Sequence, residues 1–292
     1  MRHKILILGA NGMLGHTLFS KLSLNRDLDV YGTIRNNQSI KWFHNKDKIY
    51  TNVYAGDINI FSFILKNLEP EYVINCIGVH RQSDAIKNPI ISIKINSLVP
   101  HLFAEECEKL GCKFIHFSTD YVFNGKKGMY VEKDIPNPEE IYGKSKLLGE
   151  ISNKKNSLTI RSSIIGHELG TSLSLVEWFL NQKNKVNGHK NFYTTSITTI
   201  EMANIIENYV FYNNLNGIMH ISSEPINKFD ILTKISNIYN KPIEIIPDEN
   251  FICNSTLDSS LFKKLTGYSA PSWDIMLNNM YKDFKLRYKR TI

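Results

Sequence analysis

The chain has 292 residues, 42% of them hydrophobic, with 35 Lys and Arg against 28 Asp and Glu for a net charge of +7. That is chain enough for a large core and for more than one domain at the usual scale of roughly 150 residues each, and the absence of any run of about 18 apolar residues argues against a transmembrane helix. The N-terminal apolar run is too short for a secretory signal, so a cytoplasmic location is expected, while positive charge spread over the whole length suits small phosphate-bearing ligands better than nucleic acid, for which no clustered basic face with interleaved aromatics is present.

The first predicted strand, residues 4–8, runs directly into Gly9-Ala10-Asn11-Gly12-Met13-Leu14-Gly15 and then into a helix at 13–22. Further strands are predicted at 29–34, 51–54, 72–77, 113–117 and 157–161, with helices at 58–68, 90–110 and 139–153 between them. Strands alternating with helices predict parallel strands joined by crossovers, an α/β Rossmann-type doubly wound parallel sheet. Runs such as ILIL and YVINCIG are apolar on both faces, as a sheet covered on both sides requires. Beyond residue 166 the rhythm loosens: helices are predicted at 172–181, 200–212, 228–239, 258–265 and 272–284, with short strands at 218–221 and 242–246. The expected organisation is a dinucleotide-binding domain over 1–165 and a smaller C-terminal substrate-binding lobe over 166–292, with about 192–221 returning to the first domain and a cleft between them. The basic stretch at 285–290 reads as a solvated helix end complementing the helix dipole.

Cys76, Cys107, Cys112 and Cys253 form no C-x-x-C pair, so neither zinc nor any other metal is expected, and reduced thiols are. Cys107 and Cys112 flank a predicted helix end.

Three glycines, three apart, where an apolar strand turns into a helix suggest a phosphate cradle. The helix N-terminal amides point at an anion there, and a Cβ would hold the phosphates away. About 20 residues beyond the glycines an acidic residue would select NAD by holding its ribose hydroxyls. The chain has Arg35 at that distance. A guanidinium suits a 2′-phosphate, so NADP(H) is expected in preference to NAD(H), which is admitted as the alternative.

The stretch FIHFSTDYVFNG carries hydroxyls off the end of a strand at Ser118 and Thr119, on the edge where open α/β sheets bind ligands. Some twenty residues later EIYGKSKLLGE places Tyr142 and Lys146 four apart, hence on one helix face. A phenol near pH 10 exchanges protons reluctantly at neutrality. A cation about 4 Å away, worth on the order of 4 kcal/mol at an effective dielectric of about 20, is expected to lower it into a usable general acid or base.

Gly9-x-x-Gly12-x-x-Gly15 together with Tyr142-x-x-x-Lys146 resembles the extended short-chain dehydrogenase/reductase family. STDYVFNG at 118–125, YGKSKLLGE at 142–150, LTIRSS at 158–163 and NSTLDSSLFKKLTGYSAPSW at 254–273 resemble its dTDP-4-dehydrorhamnose reductase group, over nearly the whole chain. The resemblance implies that Thr119, Tyr142 and Lys146 are the catalytic hydroxyl, proton donor and tuning lysine. It implies that the cofactor is held by the turn from Gly9 to Gly15 with its Asn11, Met13 and Leu14, by Arg35, by Asp57 and Ile58 at the adenine, and by the loop Cys76, Ile77 and Gly78. Asn96 on the central helix, Ser118, and Ser163 near the nicotinamide complete that set. His80, Arg81, Tyr121, Val122 and Phe123 become candidate substrate contacts. The implied reaction is reduction by NADPH of a nucleotide-linked 4-keto-6-deoxyhexose, in deoxysugar or surface polysaccharide synthesis, with the nucleotide sugar as partner, no nucleic acid or membrane, and a homodimer admitted. The segment 79–85 and Ile164 depart from the group's usual pattern near the sugar, which leaves the hexose and the nucleotide open. A nucleotide-sugar epimerase and a non-catalytic regulatory subunit of the same fold are the alternatives.

Overall fold

The computed structural model describes residues 2–288. Strands β1 (His3–Leu8), β2 (Leu28–Thr33), β3 (Ile49–Tyr50), β4 (Tyr72–Asn75), β5 (Lys113–Phe117) and β6 (Ser157–Arg161) join a seventh, Gly217–His220, in one sheet. The spatial order is Gly217–His220, β6, β5, β4, β1, β2, β3, with every neighbouring pair parallel. The winding reverses between β1 and β4, which opens a crevice at the carboxyl ends of those strands. Alternation along β1 shows why the strands are apolar on both faces. Ile5 and Ile7 enter one core, Leu6 and Leu8 the other, and all four are fully buried.

Helices α1 (Met13–Leu22) and α2 (Ile58–Leu68) have the predicted bounds. The long helix expected at 90–110 is instead three segments: α3 (Pro89–Ser92), a π-helical stretch Ile93–Leu98, and α4 (Val99–Lys109). Pro100 explains the break. It has no N–H to give the carbonyl of Asn96, and its ring crowds that carbonyl. The ladder shifts by one residue, so that the Val99 amide donates to Lys94. The helix expected at 139–153 is only α5 (Ile141–Leu148), ended by Gly149.

The strand expected at 51–54 lies two residues earlier, because Gly32 and Thr33 pair with Ile49 and Tyr50, and Asn52 then turns the chain with φ +60°. Strand β4 stops at Asn75 rather than residue 77, since the Asn75 side chain takes the Ile77 amide at 3.0 Å. In the second half, Lys185–His189 pairs with Glu244–Asp248, Phe192–Thr194 lies between Ile226–Asn227 and Cys253–Asn254, and Ile197–Thr198 pairs with Ile164–Ile165. Most of these strands have two or three residues, too short to show a period of two.

The last helix, Trp273–Tyr288, packs back against α1. Its Asp283 accepts from Lys21 at 3.0 Å and from Arg287 Nε at 2.7 Å, and Arg287 also donates to Thr17 at 3.3 Å. This corrects the expectation of a merely solvated basic end: Arg287 is a clamp, while Lys289 and Arg290 lie outside the described residues. Among the described residues no helix is long and apolar enough to cross a membrane.

Candidate active site

The glycine turn sits at the crevice. Gly9 has φ +74°, and a Cβ there would lie 2.9 Å from Ile77 Cγ1. A Cβ on Gly15 would lie 2.2 Å from the Gly9 carbonyl oxygen, so α1 can press onto the turn only without one. The turn is anchored to β2 by the Ala10 amide donating to the Thr33 carbonyl at 2.8 Å and the Gly9 amide to Thr33 Oγ1 at 3.2 Å. Gly12 caps α1 without any side-chain hydrogen bond, which leaves the first-turn amides uncapped, and Met13 and Leu14 line the cleft. Uncapped amides at the positive end of a ten-residue helix, beside turns that exclude a Cβ, fit a pyrophosphate.

Arg35 is exposed just beyond β2 and has no partner among the described residues. Asn11 donates to Ser39 at 3.2 Å, tying the glycine turn to the loop that follows Arg35. Asp57 caps α2 by accepting from the Ile60 amide at 3.1 Å, and Ile58 packs on the core behind it.

From Met13 a cleft of about 240 Å³ runs past Cys76, Ile77 and Gly78 to Thr119, Tyr142, Lys146 and Ser163. The loop after β4 is held from behind by Asn96. Its amide accepts from the Val79 N–H at 2.8 Å and donates to the Val79 carbonyl and Ser145 Oγ, both at 3.1 Å. The side chain is wholly buried, with both amide hydrogens and one acceptor site of its oxygen engaged by protein. Asn96, expected as a cofactor contact, is thus a staple between that loop and α5.

Helix α5 approaches its neighbours at two glycines. A Cβ on Gly143 would lie 2.1 Å from the Tyr121 carbonyl oxygen, and one on Gly149 1.9 Å from the Asn96 carbonyl oxygen. This close docking brings Tyr142 into one cleft with Thr119 and buries Lys146, whose ammonium donates to the Phe117 carbonyl. Thr119 Oγ1 donates to Asp120 at 3.1 Å and accepts from the Tyr121 amide at 3.2 Å, which fixes the hydroxyl. Asp120 is itself buried and accepts from Ser255 at 2.7 Å.

The expected tuning of the phenol runs the other way in the free chain. Burial pushes Tyr142 up to about 12, against a smaller downward effect of the Thr119 hydroxyl. Burial also lowers Lys146 to about 8, with the Glu150 carboxylate opposing. Desolvation governs both groups, and Lys146 is not among the charges that act on Tyr142, so the pairing anticipated from an i,i+4 spacing is not made in the free chain.

The remaining expected site residues divide. Ser118 lines the cleft, but its hydroxyl donates to Glu150 at 2.6 Å. Glu150 in turn holds Arg161 through two bonds of 2.8 and 2.7 Å in a fully buried pair. Ser163 accepts from Ser196 at 2.7 Å at the cleft wall. His80, Arg81 and Tyr121 line the cleft as well; Arg81 forks onto Glu140 at 2.6 and 2.7 Å and lies 4.9 Å over the Tyr121 ring. Val122 and Phe123, expected as substrate contacts, are instead buried in a small core with Tyr130 and Leu257, where Phe123 stacks on Tyr130 at 4.2 Å. The 3-10 turn Asp120–Val122 that follows Thr119 directs them inward. Sequence reasoning missed Lys228, which lines the far wall of the cleft, and the Glu150–Arg161 pair; nothing in spacing marks either one.

Comparison with known proteins places these features in context. The bovine (Bos taurus) methionine adenosyltransferase 2 subunit beta is 24% identical over 253 residues, 82% of this chain and 73% of that protein. A dTDP-4-dehydrorhamnose reductase of Aggregatibacter actinomycetemcomitans is 25% identical over 303 residues, 95% of this chain and 98% of that one. The crystal structure of a dTDP-4-dehydrorhamnose reductase from Bacillus anthracis in complex with NADP superposes with a TM-score of 0.80 at 21% identity, covering 97% of this chain and 100% of the other. The model of the family described as RmlD substrate binding domain matches residues 3–286, and the chain belongs to that family.

Proposed function

We propose that this protein is an NADPH-dependent reductase of a nucleotide-activated 4-keto-6-deoxyhexose, acting in deoxysugar or surface polysaccharide synthesis. The observation that carries the reading is the buried phenol of Tyr142 in one cleft with Thr119, a buried Lys146 and an uncapped glycine turn. The relatives named as dTDP-4-dehydrorhamnose reductases, one of them in complex with NADP, support it.

The turn from Gly9 to Gly15 would hold the pyrophosphate of the dinucleotide, Asp57 and Ile58 would flank its adenine, and Arg35 would fork onto a 2′-phosphate. A reduced nicotinamide bound there supplies the hydride. The chain does the rest. Thr119 orients the substrate oxygen. Tyr142 gives that oxygen its proton, and the high affinity of the buried phenol for protons keeps it in the donor form until negative charge develops beside it. Lys146, held by the Phe117 carbonyl, lends positive charge that favours both the forming alkoxide and the phenolate left behind. The Arg81–Glu140 fork stiffens the rim on which Tyr121 stands.

The test is a panel of dTDP-, UDP- and GDP-linked 4-keto sugars offered with NADPH, following its absorbance. Stoichiometric consumption with one of them is expected. A tightly bound cofactor that cycles without net consumption would indicate an epimerase. The likeness to a methionine adenosyltransferase subunit favours one second reading, a regulatory subunit. An inert panel with intact NADPH binding would support it.

A further inference from the structure

Glycine has little conformational preference of its own, so the peptide planes of a glycine turn are fixed by outside contacts. At Gly12 those contacts come from His16, one helical turn on. The Gly12 carbonyl accepts twice from that residue, from its amide at 3.0 Å and from its ring Nδ1 at 2.8 Å. The Gly12–Met13 peptide is trans. With its carbonyl held against α1, the N–H of Met13 faces the opposite way, toward the open end of the helix and the cleft that Met13 lines. A carbonyl swung into that space would set partial negative charge against an incoming phosphate.

The tautomer of His16 follows from its partners. A carbonyl only accepts, so Nδ1 carries the proton, and Nε2 of the neutral ring can then only accept. Its donor is the hydroxyl of Tyr288, in the last turn of the helix Trp273–Tyr288 and 272 residues away in sequence. The two rings meet edge-on with centroids 5.8 Å apart. Tyr288 also lies 5.3 Å from the ring of His167, which is itself bonded to Glu177 at 2.7 Å and Tyr239 at 2.8 Å. The clamp of Lys21, Asp283, Arg287 and Thr17 fixes the height of this last turn against α1. Burial and the Arg287 charge lower His16 to about 3, against smaller upward effects of the Gly12 carbonyl and Asp283, so the ring stays neutral near neutral pH. Hydrogen bonds thus run unbroken from the last helix to the middle glycine of the turn.

We infer that His16 and Tyr288 are positioning residues of the dinucleotide site: Tyr288 holds the imidazole in the tautomer that fixes the Gly12 carbonyl, and the imidazole thereby aims the Met13 amide at the pyrophosphate. This rests on the reading of the glycine turn as a pyrophosphate cradle and adds the remote groups that preorganise it.

The experiment titrates the full chain with NADPH, followed by its fluorescence, and displaces it with 2′-AMP, which carries the adenine and the 2′-phosphate but no pyrophosphate. The variants are His16→Phe, which keeps a ring and removes the donor, His16→Asn, which keeps a donor in the place of Nδ1, Tyr288→Phe, which removes only the hydroxyl, and the double variant of the last two. His16→Phe should weaken NADPH about tenfold, the scale of one lost hydrogen bond, and His16→Asn should recover most of that loss. Tyr288→Phe should weaken NADPH severalfold in the wild-type background and add nothing to His16→Asn, because its effect passes through the imidazole. Every variant should bind 2′-AMP as wild type does, which a general loosening of the fold would not allow. Unchanged NADPH affinity in either His16→Phe or Tyr288→Phe, or equal losses for NADPH and 2′-AMP, overturns the assignment. If wild type binds neither, the dinucleotide reading itself fails and the positioning role with it.

Discussion

The ammonium of Lys146 donates to the main-chain carbonyl of Phe117, the last residue of β5. One bond therefore joins the helix that carries the phenol to the strand end that carries Thr119. The site is a joint between two rigid elements, and its precision depends on how closely α5 can dock.

Gly149 sets that closeness, with the Asn96 carbonyl 1.9 Å from where a Cβ would stand. Gly149→Ala is expected to destabilise the chain by about 1–3 kcal/mol, as overpacking does. The urea midpoint should fall, and activity should fall with it in the surviving folded protein. An unchanged midpoint would show that α5 docks less tightly than described.

Lys146 makes stability depend on pH with a definite sign. Its folded-state pKa is about 8 rather than 10.5, so between those values the unfolded chain binds more protons, and stability rises with pH across that window. The rise is at most about 3 kcal/mol, since a tenfold change in proton affinity is worth about 1.4 kcal/mol. Above about 10 the raised phenol of Tyr142 works in the opposite direction, because the folded state then holds a proton that the unfolded state loses. Urea unfolding between pH 7.5 and 9.5 should show the rise in wild type and a flatter profile in Lys146→Met.

The proposed preference for NADP rests on Arg35. Exposed and unpartnered at the end of β2, it has no structural duty that its loss would disturb. Arg35→Ala is expected to raise KM for NADPH about tenfold or more and to leave KM for NADH within about twofold, in keeping with a lost bidentate phosphate contact. Equal effects on both would remove the preference for NADP.

Much of this was legible in the sequence. The glycine turn, α1, α2, β5, β6 and the helix Lys228–Tyr239 have the bounds that periodicity and capping predict, because each is decided by its own residues. The π-helical stretch was not, since it depends on Pro100 meeting the Asn96 carbonyl in a helix that must also receive Gly149. At the site, Thr119, Tyr142 and Lys146 converge as their motifs suggest. The sign of the Tyr142 shift did not follow from spacing, because burial is a property of the folded crevice. Val122 and Phe123 were misjudged for a related reason: a motif shows which residues stand together, not which way the chain turns them. Lys228 and Glu150 were silent because their surroundings, the Phe192 ring for one and Ser118 and Arg161 for the other, are brought to them only by the fold.

The most direct measurement is the single-turnover rate of NADPH oxidation by Tyr142→Phe, with the keto sugar that wild type accepts and with NADPH binding measured alongside. Loss of about 10²–10⁴ in rate with unchanged NADPH affinity is expected if the phenol delivers the proton. A variant that oxidises NADPH as fast as wild type would contradict the assignment of Tyr142 as the proton donor.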